Sequence, residues 1–264
     1  MTEITKRYNE VVVVGPNSSI ANYVLGALRV DKTKLFGIYN HNLDSPSLKY
    51  FLESNLVSFK LVGESPADVC NFLSLDLQKN VLILNFSGEL GPINSFIDAN
   101  SIEILETINR NFESFIFSSK ILCLYGPNSL LISFCGAGVG GGNLDDSSLG
   151  YLAAKSGIVI LNEALDGQLK NFGHRLCLIS PGAYPSNMQR AVAEAPQESV
   201  DDSRRNQAKH TLEVGAKHPE KILEILDYLI LNPDAAGGRL WSAHFDNEKS
   251  LSVNQEFGKM RRIF

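Results

Sequence analysis

The chain has 264 residues, is 44% hydrophobic and 20% charged, and carries a formal net charge of -5. This is ordinary globular composition, and it excludes a disordered chain, a coiled coil, a collagen and a small disulfide-stapled fold. The mild acidity gives no electrostatic reason to expect nucleic acid or an anionic membrane as a partner. A core of this size folds without a staple, and the five scattered histidines predict no metal site.

The N-terminus and the cysteines indicate the cellular compartment. Residues 1–10 are polar without an apolar signal core, and no apolar run approaches the roughly 20 residues needed to cross a bilayer. The four cysteines, Cys70, Cys123, Cys135 and Cys177, form no CxxC pair. We therefore predict a cytoplasmic protein whose cysteines are buried free thiols.

The first half of the chain alternates strand and helix patterns. Val11 to Val14 is a continuous β-branched run, typical of a parallel strand buried on both faces. The turn at residues 15–19 leads into a helical pattern over 20–30. Further strands are predicted over 34–39, 56–62 and 81–84, and further helices over 47–54 and 66–75.

The alternation continues in the second half. The patterns predict helices over 101–117, 149–169 and 219–231, strands over 130–134, 175–179 and 239–243, and a glycine-rich loop over 136–142. No repeat or linker divides the chain, so residues 1–264 are predicted to form one α/β domain. Its architecture is a Rossmann-type, doubly wound parallel sheet with helices on both faces.

One polar region interrupts this pattern near residues 186–218 and is predicted to be an irregular insertion. It follows a strand's carboxyl end, where ligands bind in open α/β sheets. We therefore interpret it as a substrate-side loop, and a mobile loop without function is the alternative.

The first strand-to-helix turn is a candidate phosphate site. Such a turn exposes unpaired N–H groups at the positive end of a helix dipole, and small residues let a pyrophosphate approach the backbone. Gly15, Asn17, Ser18, Ser19 and Ile20 are the candidate contacts. Because the motif GxGxxG is absent, a plain structural turn remains open from this segment alone.

The residues after the second strand bear on the cofactor. Dinucleotide sites that prefer NAD usually carry an acid there to hold the ribose hydroxyls. Here the residues are Tyr39, Asn40 and His41, without an acid at the strand end. This favours NADP over NAD, and it counts against a Rossmann-type methyltransferase, which would need such an acid.

Tyr151 and Lys155 stand four residues apart on a predicted helix, so both face the same side. A nearby ammonium lowers the pKa of a phenol, which can then exchange a proton with a substrate oxygen near neutral pH. Such a short pair also arises by chance. Its place after the fifth strand and a glycine-rich loop strengthens the interpretation.

In these features the sequence resembles the short-chain dehydrogenase/reductase family, from Val11 to about Ala243. Several degenerate motifs occur in the family's order. They are Gly15 to Ala21 (for GxxxGxG, with Ser19 and Ala21 at the second and third glycines), Asn85-Phe86-Ser87-Gly88 (for Asn-Asn-Ala-Gly), Asn111, Tyr151 with Lys155, and Pro181-Gly182-Ala183-Tyr184-Pro185-Ser186.

The resemblance implies hydride transfer between a nicotinamide cofactor and a carbonyl or secondary alcohol of a small molecule. Tyr151 would be the acid/base, Lys155 would hold the ribose and lower the pKa of the tyrosine, and Asn111 would position a relaying water. The motifs after the fourth and sixth strands would add cofactor contacts, and the chain would form a homodimer or homotetramer through the tyrosine helix and the helix before it.

The sequence departs from the family at the catalytic serine. Alignment on the Gly-x-Gly puts Cys135 in its place, whereas alignment on Ile-Ser favours Ser133. A thiol is a weak hydrogen-bond donor, so Cys135 would polarise a carbonyl poorly. The alternative to an active enzyme is therefore a catalytically impaired nucleotide-binding protein, acting as a sensor or assembly partner.

The C-terminal stretches 238–246 and 259–263 resemble the ending of a subgroup associated with bacterial surface-polysaccharide synthesis. That resemblance implies a sugar, nucleotide-sugar or polyol substrate. The alternative is a last strand followed by an exposed basic tail, with Trp241 in the core.

Overall fold

A computed structural model describes residues 7–28, 30–39, 46–58, 65–136, 147–243 and 246. Its centre is a seven-stranded, fully parallel sheet in the order β3-β2-β1-β4-β5-β6-β7. The order reverses between β1 and β4, which is where ligands bind in doubly wound sheets. The strands are β1 (Glu10–Val14), β2 (Leu35–Tyr39), β3 (Leu56–Ser58), β4 (Val81–Asn85), β5 (Ser129–Phe134), β6 (His174–Ser180) and β7 (Leu240–Ser242).

The helices connect successive strands. They are α1 (Ser19–Ala27), α2 (Pro66–Phe72), α3 (Ser101–Leu122), α4 (Leu149–Leu169), α5 (Asn187–Glu194), α6 (Asp202–Val214), α7 (Glu220–Leu231) and the single turn α8 (Pro233–Ala236). Short 3-10 turns occupy Lys32–Lys34, Pro46–Tyr50, Glu53–Asn55, Lys170–Phe172 and Gln197–Ser199.

The sheet is buried on both faces, as its continuous apolar strands require. Val11 and Val13 point into a cluster that includes residues of α1 and α7. Val12 and Val14 point to the other face, into a cluster with residues of α2, α3 and α4. The predicted fold class is therefore confirmed.

Some predicted boundaries are wrong. The helix expected over 47–54 is two 3-10 turns, Pro46–Tyr50 and Glu53–Asn55. Helix α1 ends at Ala27 rather than residue 30, and α3 extends beyond residue 117 to Leu122. The hydroxyls of the serines near the end of α3 donate to backbone carbonyls one turn earlier. These bonds satisfy the buried hydroxyls, so the helix can continue through polar residues.

The region near 186–218 is not the irregular insertion that the sequence predicts, because it contains α5 and α6. Ser186 caps α5 by accepting from the Gln189 N–H at 3.3 Å, and Asp201 caps α6 by accepting from the Arg204 N–H at 3.0 Å. The guanidinium of Arg205 donates to backbone carbonyls of the connection. A small apolar cluster joins the two helices to the segment after β4; it comprises Val192, Ala195, Val200 and Ala208 with Leu90, Ile93 and Ala193.

Candidate active site

A cavity of about 380 Å³ opens at the carboxyl ends of β1, β4 and β5. Its walls come from the turn before α1, the segment after β4, the middle of α3, the end of β5, the start of α4, the segment after β6 and the start of α5. The lining residues are Gly15, Asn17, Ser18, Ser19, Ile20, Phe86, Ser87, Gly88, Glu89, Arg110, Ser114, Phe134, Cys135, Gly136, Tyr151, Lys155, Pro181, Ser186, Asn187 and Met188.

The turn after β1 meets the segment after β4 at Gly15. Its φ of 73° is in the left-handed region, which favours glycine. A β-carbon at this position would lie 2.5 Å from Ser87 Oγ and 2.8 Å from Ser87 N. Ser18 then caps α1, because its hydroxyl accepts from the Ala21 N–H at 3.0 Å. The helix therefore begins with its N-terminus in the cavity wall.

The end of β4 is fixed by Asn85, which is buried beneath the cavity. Its Oδ1 accepts from the Ser87 N–H at 2.9 Å and from Ser114 Oγ at 3.1 Å, and its Nδ2 donates to the Ser114 carbonyl at 3.3 Å. These bonds join β4 to α3. Asn85 thus shapes the cavity without lining it.

Asn111 also joins α3 to the segment after β4, and it lies one turn before Ser114 on that helix. Its Nδ2 donates to the carbonyls of Glu89 and Thr107, both at 2.9 Å, and its Oδ1 accepts from the Glu89 N–H at 3.3 Å. Only 2% of the residue is exposed. The Asn111 side chain is therefore turned into the molecule, where it bonds α3 to the segment after β4.

Tyr151 and Lys155 both face the cavity from the first turns of α4. Lys155 Nζ lies 5.5 Å from the centroid of the Tyr151 ring and donates to the Ser87 carbonyl at 3.4 Å. Lys155 is buried, and desolvation lowers the pKa of its ammonium. A β-carbon on Gly88 would come within 3.3 Å of that ammonium, so Gly88 leaves it room.

The end of β5 places three residues around this pair in different ways. Ser133 is buried beside Asn85 in the sheet register, and its hydroxyl has no hydrogen-bond partner among the described residues. Cys135 lines the cavity, but its thiol donates to the Lys155 backbone carbonyl at 3.8 Å, and burial raises its pKa to about 11. Gly136 lies directly against the Tyr151 hydroxyl.

The structure brings together most of the predicted site residues. Gly15, Asn17, Ser18, Ser19, Ile20, Phe86, Ser87, Gly88, Cys135, Tyr151, Lys155, Pro181 and Ser186 line the cavity, whereas Tyr39, Asn85, Asn111, Ser133, Gly182 and Ala183 do not. Asn40, His41 and residues 137–142 of the glycine-rich loop lie outside the described residues.

Sequence reasoning missed several lining residues, among them Glu89, Arg110 and Ser114. Arg110 and Ser114 flank Asn111 on α3, and Ser114 is three residues beyond it on the same helical face. The helical spacing from Asn111 could therefore have predicted Ser114 as a site residue. Glu89 and Arg110 form an ion pair at 2.5 Å at the edge of the cavity.

Other predictions can be placed as well. Cys70, Cys135 and Cys177 are buried free thiols, but the expectation is wrong for Cys123, which is exposed at the end of α3. Trp241 is a core residue whose indole N–H donates to the Ala236 carbonyl at 3.2 Å. Residues 259–263 lie outside the described part. Within that part, no helix is both long and apolar enough to span a membrane.

No protein-family model and no curated protein matches the chain, but solved structures do. A short-chain dehydrogenase/reductase from Saccharomyces cerevisiae has a TM-score of 0.71 at 15% identity, over 92% of this chain and 98% of its own. A Haemophilus influenza protein with bound NAD, described as a candidate D-mannonate oxidoreductase, has a TM-score of 0.69 at 17% identity, over 93% and 96%. Pseudomonas aeruginosa RhlG, solved with NADP, has a TM-score of 0.65 at 14% identity, over 89% and 94%.

The chain shares their fold. At these identities the likeness establishes the short-chain dehydrogenase/reductase fold over nearly the whole chain.

Proposed function

We propose that this chain is an NAD(P)-dependent oxidoreductase of the short-chain dehydrogenase/reductase family. It would transfer a hydride between a nicotinamide cofactor and a carbonyl or secondary alcohol of a small molecule. The observation that carries the proposal is the placement of the Tyr151 phenol and the buried Lys155 ammonium together in one cavity, beside the N-terminus of α1.

The cavity fits the cofactor on both sides. The capped N-terminus of α1 presents backbone N–H groups, and Gly15 beside it adds no side chain, so a pyrophosphate could approach the backbone there. Ser114, Pro181 and Ser186 also line the cavity and would border the nicotinamide end. When bound, the cofactor supplies the hydride donor or acceptor.

The proton chemistry belongs to Tyr151 and Lys155. In reduction, the Tyr151 hydroxyl would donate its proton to the oxygen of the substrate, and in oxidation the phenolate would accept it. The Lys155 ammonium lies over the ring and would stabilise the phenolate. Asn111 holds the backbone of Glu89, and thereby the Ser87-Gly88 segment against which Lys155 is packed.

Cofactor choice and substrate class are finer proposals. The absence of an acid among Tyr39, Asn40 and His41 supports NADP. The resemblance of residues 238–246 to the polysaccharide-associated reductases supports a sugar, nucleotide-sugar or polyol as the substrate.

One observation supports a second candidate, a catalytically impaired nucleotide-binding protein that acts as a sensor or assembly partner. Neither residue considered for the serine position is placed to bind a substrate oxygen as a serine would. Ser133 does not line the cavity, and the Cys135 thiol is directed to the Lys155 carbonyl. The intact Tyr151 and Lys155 favour the active enzyme.

Cofactor titration and a carbonyl panel distinguish the two candidates. NADPH and NADH binding is measured by fluorescence, and oxidation is followed with aldoses, ketoses, simple ketones and diketones. We expect Tyr151→Phe to bind the cofactor as the wild type does and to lose about 10²- to 10⁴-fold in kcat. Tyr228→Phe, whose ring packs on Trp241 away from the cavity, is the matched control.

The outcomes separate clearly. Oxidation that depends on Tyr151 supports the oxidoreductase. NADPH binding without oxidation of any carbonyl, unchanged by Tyr151→Phe, supports the impaired binding protein.

We further propose that the chain is a homodimer or homotetramer that pairs through α3 and α4. Ile102, Leu105 and Ile116 on α3 and Ile160 on α4 are exposed apolar side chains on these two packed helices. Leu105→Glu with Ile160→Glu should reduce the sedimentation coefficient to that of a monomer. Leu231→Glu, at the end of α7 on the opposite face of the sheet, should leave it unchanged.

A further inference from the structure

The cavity wall beside Tyr151 contains a residue whose missing side chain leaves space for the phenol. Gly136 follows the last residue of β5 by two positions, and its φ is outside the left-handed region. Its backbone conformation therefore does not require glycine. A β-carbon there would overlap the Tyr151 hydroxyl oxygen and lie 2.6 Å from Cζ and 2.8 Å from Cε1.

These contacts are so short that the Tyr151 ring would have to shift if any other residue stood at position 136. Non-bonded carbon atoms normally approach to about 3.5–4.0 Å, so a β-carbon at Gly136 would push the ring by about 1 Å. The phenol occupies the space that a side chain at this position would fill.

We propose that Gly136 is the positioning residue of Tyr151. With no side chain at 136, the phenol lies against the backbone at the end of β5. This inference deepens the proposed function and rests on it for its catalytic consequence, whereas the contact itself can be tested without activity. It also differs from both sequence alignments, which considered the side chains of Ser133 and Cys135.

The surroundings leave the phenol little freedom to adapt. Lys155 is buried one turn further along α4, its Nζ is bonded to the Ser87 carbonyl, and its own backbone carbonyl accepts from Cys135. The ammonium therefore cannot follow a displaced ring. A displacement of about 1 Å in a reacting group costs about 10²-fold in rate.

The kinetic test is Gly136→Ala. We expect its Kd for NADPH to match the wild type, its kcat to fall by about 100-fold, and its KM for the carbonyl to change far less. Gly167→Ala is the matched control, because a β-carbon at this position on α4 meets nothing within 4 Å. A Gly136→Ala variant with the kcat of the wild type would overturn the proposal.

A double-mutant cycle tests the contact without reference to activity. Gly136→Ala should lower the Tm of the wild type, and this loss should largely disappear in the Tyr151→Ala background, where the ring is absent. Additive losses overturn the proposal. A wild type that binds no nucleotide and reduces no carbonyl would overturn the proposed function, while a non-additive cycle would still support the placement of Tyr151 by Gly136.

Discussion

The two sides of the cavity are built from different kinds of groups. On the β1 and β4 side, Gly15 packs against Ser87, and α1 presents its capped N-terminus. On the β5 and α4 side, the wall carries the two side chains to which we assign the proton chemistry, Tyr151 and Lys155. In the proposed function, the first side would act through backbone conformation and close approach, and the second through the identity and placement of individual side chains.

Each side departs from the motifs that the sequence resembles in its own way. A backbone site needs small residues and a left-handed turn, so Ser19 and Ala21 can stand where the family has glycines while Gly15 is kept. The proposed proton transfer needs a titratable group at the substrate oxygen, and this side keeps Tyr151 and Lys155 while the serine position is changed. Substitutions on each side should therefore fail in different ways, through strain on one and through charge on the other.

The largest effect on stability is expected on the backbone side, for Gly15→Ala. The new β-carbon would be strained at φ 73° and would collide with Ser87, which should lower the free energy of unfolding by about 3 kcal/mol. The same displacement should weaken NADPH binding by at least about tenfold, which corresponds to about 1.4 kcal/mol. Chemical denaturation and fluorescence titration measure the two losses.

Gly182→Ala is the matched control for this prediction. Its φ is also positive, 78°, but a β-carbon there meets nothing within 4 Å. Only the backbone strain applies, about 1–2 kcal/mol. Equal losses in the two variants would show that the contact with Ser87 is unimportant.

A smaller effect, with a pH dependence, is expected on the side-chain side for Lys155→Met. Burial lowers the pKa of Lys155 in the folded protein below the usual 10.5. Between these two pKa values the unfolded chain binds more protons than the folded one, so the stability of the wild type rises with pH in that range. Without cofactor, Lys155→Met should be more stable near neutral pH by about 1 kcal/mol. The gain should shrink as the pH rises towards 10.5.

Denaturation at several pH values measures this gain. Lys120→Met, which removes an exposed lysine near the end of α3, controls for the lost positive charge. A gain that does not change with pH, or a loss of stability at neutral pH, would contradict a desolvated ammonium at Lys155.

The same contrast explains what the sequence could predict. Strands such as Val11 to Val14 are continuous apolar runs because both faces of the sheet are covered, and this pattern is readable without the structure. Helices α5 and α6 were missed because they bury few apolar residues, chiefly Val192 and Ala208. Their ends depend on the caps Ser186 and Asp201, which also fit a polar loop.

In the site, spacing predicted Tyr151 and Lys155 because a helix fixes where side chains four residues apart point. The neighbour of the phenol could not be found in this way. The choice between Ser133 and Cys135 compared side chains, whereas the structure places the backbone of Gly136 there. The direction in which the chain leaves β5 decides which residue lies against the phenol. That direction depends on packing rather than on a sequence motif.

The smallest effect is expected for the ion pair between Glu89 and Arg110, which lines the cavity but is about half exposed on both sides. Exposed pairs contribute about 0.2–1 kcal/mol. A double-mutant cycle with Glu89→Gln and Arg110→Gln isolates this pair from the second contact of Arg110, with Glu106 at 3.1 Å. The coupling energy between Glu89 and Arg110 should be smaller in 1 M salt than at low salt, because the Debye length there is about 3 Å. A coupling well above 1 kcal/mol that persists in salt would show that this pair, rather than the backbone bonds from Asn111 to Glu89, holds the segment after β4 in place.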